Sequence, residues 1–260
     1  KNKSLILNTW GSDLVFSRKN ILRKMWLSYI LKKSTCVISD AYHHYEFMKK
    51  YNLARSKFHY IPYGTNTEFY QSTREPFSNE ITTVIQTRNL EKVYDVETFL
   101  KAASIVLNEI NSVQFKIIGS GPLEEDLIKL SKKLKIDKKV KFLGRVSQQE
   151  MFEELNSSDI YVSCSLRDGG LASSTAEAMS CERLVIISNN SDNNKWIINN
   201  KNGYLFENKD YSDLGRKILT ATINKEKSLK LGKQGRKIIL DKNTYHKQMN
   251  KVLDIYNNQI

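Results

Sequence analysis

At 260 residues, 40% hydrophobic and 27% charged, the chain can bury one large core or two modest ones, and no apolar run approaches the roughly 20 residues that cross a bilayer. Cys36, Cys164 and Cys181 share no metal-ligand or redox spacing, which excludes a zinc ribbon or a disulfide framework and reads as reduced, buried, cytoplasmic thiols. A net charge of +13 admits phosphorylated, nucleic-acid or anionic-lipid partners without selecting one, and no zinc finger, RNA-recognition motif or KH loop is present.

Strands and helices alternate along the chain. Short β-branched runs predict strands over 4–8, 35–38, 58–61, 81–87, 114–118, 140–143, 159–163, 183–188 and 203–206. Helical periodicity covers 20–31, 41–51, 96–110, 123–134, 148–155, 175–181, 211–219, 226–240 and 245–256. Buried strands joined by helices imply a parallel sheet covered on both faces.

The first helix places Ile21, Leu22, Met25, Trp26, Tyr29 and Ile30 on one face, with Arg23, Lys24, Lys32 and Lys33 around it. Such a helix can lie on an anionic membrane. A core-packed helix has the same pattern, and the sequence by itself favours that reading. His43 and His44 point about 100° apart on their helix, which suits a helix-surface pair better than a metal site. Residues 70–80 are polar and form the best candidate linker.

Arg88 follows the strand 81–87 and puts a permanent cation at its C-terminal edge. Gly119 and Gly121 follow another strand but lack the third glycine of a dinucleotide fingerprint, and Glu124, Glu125 and Asp126 in the next helix would repel phosphate. That loop suits a nucleoside better than a diphosphate. Arg145, after Gly144, either edges the base or makes a surface salt bridge. Ser147 and Glu150 form a capping box.

The most informative stretch runs from Asp159 to Asn189: a buried strand, a glycine loop, a short helix and a second buried strand. Asp168, Gly169 and Gly170 precede Ser173, Ser174, Thr175 and Glu177. Glycines let backbone approach a ligand, and a first helical turn without acids presents N–H groups and a positive dipole end to phosphate. Ser174 and Glu177 also fit a capping box, in which Glu177 only reaches back to its own helix start.

These residues resemble the retaining glycosyltransferases of family 4, which have the GT-B fold. Glu177-Ala178-Met179-Ser180-Cys181-Glu182-Arg183-Leu184-Val185 is similar to the family's Glu-Ala-Met-Ala-Cys-Gly-x-Pro-Val, with a helix-ending glycine absent. The resemblance extends to Trp10-Gly11-Ser12-Asp13, to Ile61-Pro62-Tyr63-Gly64-Thr65-Asn66 beside the family's Ile-Pro-Asn-Gly-Val-Asp, and to Arg88-Asn89-Leu90-Glu91-Lys92. Ile117 to Pro122, Phe142 to Val146 and Asn202 to Phe206 follow in the family's order. Where many members carry histidine before Gly-x-Asp, this chain has Trp10. The spacing from Asp168 to Glu177 is one residue longer than usual, and that from Arg88 to Lys92 one or two shorter.

The resemblance implies two Rossmann-like domains. Residues 1–72 would be an incomplete acceptor-side domain, 73–240 a nucleotide-sugar domain, and 241–260 a helix returning to the first. It implies transfer of a sugar from a nucleotide diphosphate to an acceptor hydroxyl with retention, in cell-surface polysaccharide or glycolipid assembly. Arg88 and Lys92 would stabilise the leaving diphosphate, Asp168 would hold the donor sugar, and Glu177 the ribose. No Asp-x-Asp occurs, so no metal or other cofactor is expected. The expected partners are a nucleotide sugar, a glycan or lipid-linked acceptor and the inner face of the cell membrane, and not nucleic acid. A relative that binds nucleotide sugar without transferring it, and a basic nucleic-acid-binding protein, are the alternatives.

Overall fold

The computed structural model describes residues 4–11, 14 and 20–259. Among them, β1 (Ile6–Thr9), β2 (Cys36–Ser39) and β3 (Phe58–Tyr60) form a parallel three-stranded sheet in that order. α1 (Ile21–Lys33) and α2 (His43–Met48) make its crossovers. Asn20 starts α1, its side chain accepting from the Leu22 N–H at 2.9 Å.

A six-stranded parallel sheet follows. Its strands are β4 (Thr82–Gln86), β5 (Val113–Ile118), β6 (Val140–Gly144), β7 (Ile160–Ser163), β8 (Leu184–Ser188) and β9 (Tyr204–Phe206), in the order β6-β5-β4-β7-β8-β9. α3 (Val96–Glu109), α4 (Glu124–Lys133), α5 (Gln148–Asn156), α6 (Ser173–Ser180), α7 (Asn193–Trp196), α8 (Tyr211–Ile223) and α9 (Lys225–Lys242) surround it. Alternate residues of β8 enter different cores: Leu184 and Ile186 join Phe99, Phe115 and Leu214, whereas Val185 and Ile187 join Ile118, Met179 and Ile239. Both faces are buried, which is why the strand reads as an unbroken apolar run. Strand order reverses between β4 and β7, so the loops leaving those two strands diverge and open a crevice at the carboxyl edge.

α10 (Tyr245–Gln259) packs Val252 and Ile255 against Cys36, Ile38 and Ile61 of the smaller sheet. It is entered where Gly64 leaves no room for a side chain; a Cβ there would sit 2.4 Å from Tyr245 Cα. Thr65 and Tyr245 then exchange backbone bonds with Asn243 and Thr65 at 2.8 and 2.9 Å.

Three expectations change. The polar stretch 70–80 is pinned rather than loose: Tyr70 and Phe77 are buried, Arg74 pairs with the buried Asp159 at 2.8 Å, and the same carboxylate accepts the Phe77 and Thr83 N–H groups at 2.7 Å each. α1 does not bury the face read as its core side. Ile21, Leu22, Met25, Trp26 and Tyr29 are all more than half exposed, and Leu27 and Leu31 on the other side make the packing contacts. α7 was not foreseen in Asn-Asn-Lys-Trp, because four mostly polar residues carry no periodic signal.

Candidate active site

At the carboxyl edge of β4 and β7 two charges meet. Arg88 donates from Nη2 to Asp168 Oδ1 at 2.9 Å and from Nη1 to Ser174 Oγ at 3.3 Å, and its guanidinium lies 4.4 Å from the Tyr94 ring centroid. Asp168 is buried; its backbone N–H donates to Asn190 Oδ1 at 3.0 Å, and Asn193 Nδ2 approaches its second oxygen at 3.5 Å. The Ser174 hydroxyl also accepts from the buried Tyr161 hydroxyl at 2.9 Å. Burial pushes the Tyr161 phenol up, with the Arg88 charge acting against it.

The helix beneath this pair is α6. Its N-cap is Ala172, which makes no side-chain cap, and its first turn carries no acid. Its opening N–H groups have no partner within the helix, and they sit beside the guanidinium. This also decides the capping question. Ser174 lies inside the helix and is drawn to Arg88 and Tyr161, so the capping box with Glu177 is not formed. Glu177 instead accepts from Tyr70, and burial overrides that bond to lift its carboxyl to about 7. The matching pattern at Ser147 and Glu150 does close as a capping box, with bonds of 3.2 and 2.7 Å.

Of the other residues singled out by sequence, Thr175 is buried and Ser173 is exposed at the helix start. Gly119 and Gly121 face the β4 loop: a Cβ would lie 2.6 Å from the Arg88 carbonyl oxygen or 2.5 Å from that of Leu90. Their lack of side chains sets the position of Arg88. Gly170 answers a different neighbour, since a Cβ there would stand 2.2 Å from the Asp40 carbonyl oxygen of the smaller sheet. Gly169 lines the cleft. Arg145 makes no ion pair among those the described residues show; its Nε donates to Ser120 Oγ at 2.9 Å.

Lys92 is exposed and does not line the cleft. The short turn Lys92–Tyr94 directs Val93 and Tyr94 inward, and the second cation at the cleft is Arg167. His43 and His44 are not a helix-surface pair. His44 is buried with Nδ1 2.8 Å from Ser39 Oγ, His43 lies 3.4 Å from Asp192, and both line the cleft of about 300 Å³ shared with Trp10, Arg88 and Asp168. Ser12 and Asp13 of the Trp-Gly-Ser-Asp segment lie outside the described residues. Sequence reasoning missed Tyr70, Tyr94, Arg167, Asn190 and Asn193, which come from loops, the turn Lys92–Tyr94 and the start of α7, segments whose approach only the sheet order sets.

Among the described residues no group of three or more His, Cys, Asp or Glu side chains is placed to hold a metal ion.

The sequence profile of the glycosyl transferases group 1 matches residues 71–238, well over half of the chain. The chain belongs to that family. It is 28% identical over 165 residues to the poly(ribitol-phosphate) alpha-N-acetylglucosaminyltransferase of Staphylococcus aureus, a match covering 62% of this chain and 32% of the relative. The putative glycosyltransferase EpsD of Bacillus subtilis is 29% identical over 152 residues, covering 58% of this chain and 39% of the relative. These matches span roughly a third of the curated relatives' length. In three dimensions the group 1 chain superposes on Anabaena HepE, solved in complex with UDP and glucose, with a TM-score of 0.86 at 13% identity, covering 98% of this chain and 72% of that one. The architecture is GT-B.

Proposed function

We propose that this group 1 glycosyltransferase moves a sugar from a nucleoside diphosphate sugar to an acceptor hydroxyl, with retention at the anomeric carbon and without a metal ion, in cell-surface polysaccharide or glycolipid assembly. The observation that carries the reading is the Arg88–Asp168 pair at the switch point, 2.9 Å apart above an acid-free helix start. Departure of a diphosphate develops negative charge where Arg88 and the α6 amides lie, and preorganised donors there stabilise the transition state more than the ground state. Diphosphate competes with Asp168 for the guanidinium. The released carboxylate can then accept a hydroxyl of the donor sugar, and Glu177, three residues beyond Ser174 on α6, the hydroxyls of the ribose.

The glucose and UDP held by Anabaena HepE, and the N-acetylglucosaminyl transfer that names the Staphylococcus aureus relative, make UDP and its two sugars the first ligands to test. Calorimetric titration with UDP and GDP, followed by mass-spectrometric detection of transfer from UDP-glucose and UDP-N-acetylglucosamine, tests the reading. NMR of the product's anomeric proton reads retention. Activity that survives chelation supports the metal-free mechanism; a strict requirement for magnesium or manganese overturns it.

The exposed face of α1 favours a membrane surface as the setting. Trp26 and Tyr29, with ring centroids 6.1 Å apart, suit the headgroup level, and Arg23, Lys24, Lys32 and Lys33 suit anionic lipid. No helix of the described residues is long and apolar enough to cross a membrane. Binding to phosphatidylglycerol vesicles that weakens with salt and shifts Trp26 fluorescence is the expected result. An unchanged spectrum refutes it.

A further inference from the structure

We infer that Trp10 and Tyr63 together form a stacking platform for one uncharged sugar ring of the acceptor, a subsite that rests on the glycosyltransferase reading above. These are two places where the chain departs from the pattern it resembles, histidine and asparagine being usual there. They are 53 residues apart in sequence, yet the folded chain sets their rings 4.9 Å apart between centroids at an interplanar angle of 56°. Neither serves chiefly as core: Trp10 is 63% exposed and Tyr63 40%. Paired aromatics left in water at the rim of a cleft mark a binding surface.

Their position says which ligand. Trp10 lines both the cleft that holds Arg88 and Asp168 and a second cavity of about 180 Å³, which it shares with Asn8, Ser39, Asp40 and Tyr63. That volume is below the roughly 300 Å³ at which drug-sized pockets begin, so it suits a single ring. The two spaces adjoin: a Cβ on Gly169 would stand 3.3 Å from Asp40 Oδ2 and 3.8 Å from the Trp10 carbonyl oxygen.

Charge separates their occupants. Arg88 and Arg167 line the first space and fit it for diphosphate, whereas among the described residues neither lines the second, which Trp10 and Tyr63 face with ring surface. A pyranose offers a C–H face to the negative face of an aromatic ring, and hydroxyls at its edge to the exposed Asn8 at the rim of that cavity.

The test is saturation-transfer NMR on the 260-residue chain with methyl glycosides of glucose, galactose and N-acetylglucosamine, with and without saturating UDP. At least one glycoside should bind with transfer concentrated on its C–H face. Its affinity should fall tenfold or more in Trp10→Ala and in Tyr63→Ala but less than threefold in Trp10→Phe. UDP affinity by calorimetry should stay within twofold in Tyr63→Ala, since Tyr63 lines the second cavity and not the Arg88 cleft, and all variants should unfold cooperatively at an unchanged temperature. Equal glycoside binding by Trp10→Ala, or no binding by any glycoside, overturns the platform. Failure of UDP to bind would instead overturn the donor site, leaving the glycoside measurement to stand by itself.

Discussion

Glu177 is a half-buried carboxyl whose desolvation outweighs its bond from Tyr70, and its value is lifted from 4.5 to about 7. Ionising it therefore costs folding free energy. The cost is absent below pH about 4.5, grows as pH rises, and is complete above about 7. Glu177→Gln should gain stability relative to the unmodified chain between pH 5 and pH 8, read by urea denaturation at both. Ribose hydroxyls favour the ionised form, so UDP affinity should rise over the same interval with release of a proton, and the variant should lose that dependence. A pH-independent affinity in the unmodified chain would remove Glu177 from the ribose. Arg88→Ala should lower turnover by about 100-fold or more while changing sugar selectivity little, measured as kcat/KM for two donors.

Glu182 and Arg183 show how departures from a family pattern can be structural. Glu182 takes φ +63° just after α6, the left-handed position that glycine fills at least cost. Glu182→Gly should stabilise the chain by up to about 1 kcal/mol in the same denaturation assay. Arg183 is fully buried and spends its donors on the carbonyls of Asn156, Ser158, Cys181 and Arg74 and on the Ser72 hydroxyl. Arg183 ties the segment before β4 to β8, and neither residue lines the cleft, so they do not count against catalysis.

At the level of elements, the contact between α2 and the loop before α7 joins the two sheets. Asp192 accepts the Tyr42 and His43 N–H groups at 2.5 and 3.3 Å, and Lys195 lies 3.7 Å above the Tyr42 ring. Burial alone would raise this carboxyl; the His43 side chain and N–H, with Lys195, bring it down to about 2 instead. A depressed value means stability that is present above pH about 4 and is lost as pH falls toward 2. Asp192→Ala should speed amide hydrogen exchange over residues 42–46 while leaving β4, β5 and β7 protected. Unchanged exchange in α2 would show that the helix needs no partner from the larger sheet.

For the whole molecule, the halves meet where backbone touches backbone. Gly170 at the Asp40 carbonyl and Gly64 at Tyr245 admit no side chain, because main-chain atoms and not flexible ends would be struck. Gly170→Ala should therefore cost about 1–3 kcal/mol or part the two sheets. X-ray scattering should show a larger radius for the variant, and identical scattering and stability would mean that the loop can yield.

Much of this was written in the residues themselves. All nine strands among the described residues, the alternation that makes them a parallel α/β protein, and the capping box at Ser147 follow from local periodicity and hydrogen-bonding chemistry, which need no distant partner. The cation after β4, the carboxylate after β7 and the acid-free start of α6 were equally legible, because residue type and position after a strand suffice. What local chemistry cannot decide is which loops converge. Ser174 and Ser147 begin the same four-residue pattern, yet one caps its helix and the other is taken by Arg88 and Tyr161, 86 and 13 residues away. The exposure of α1, the inward turn of His44, the exclusion of Lys92 and the meeting of Trp10 with Tyr63 were likewise settled by strand order and by the approach of two sheets, for these contacts exist only between segments that folding brings together.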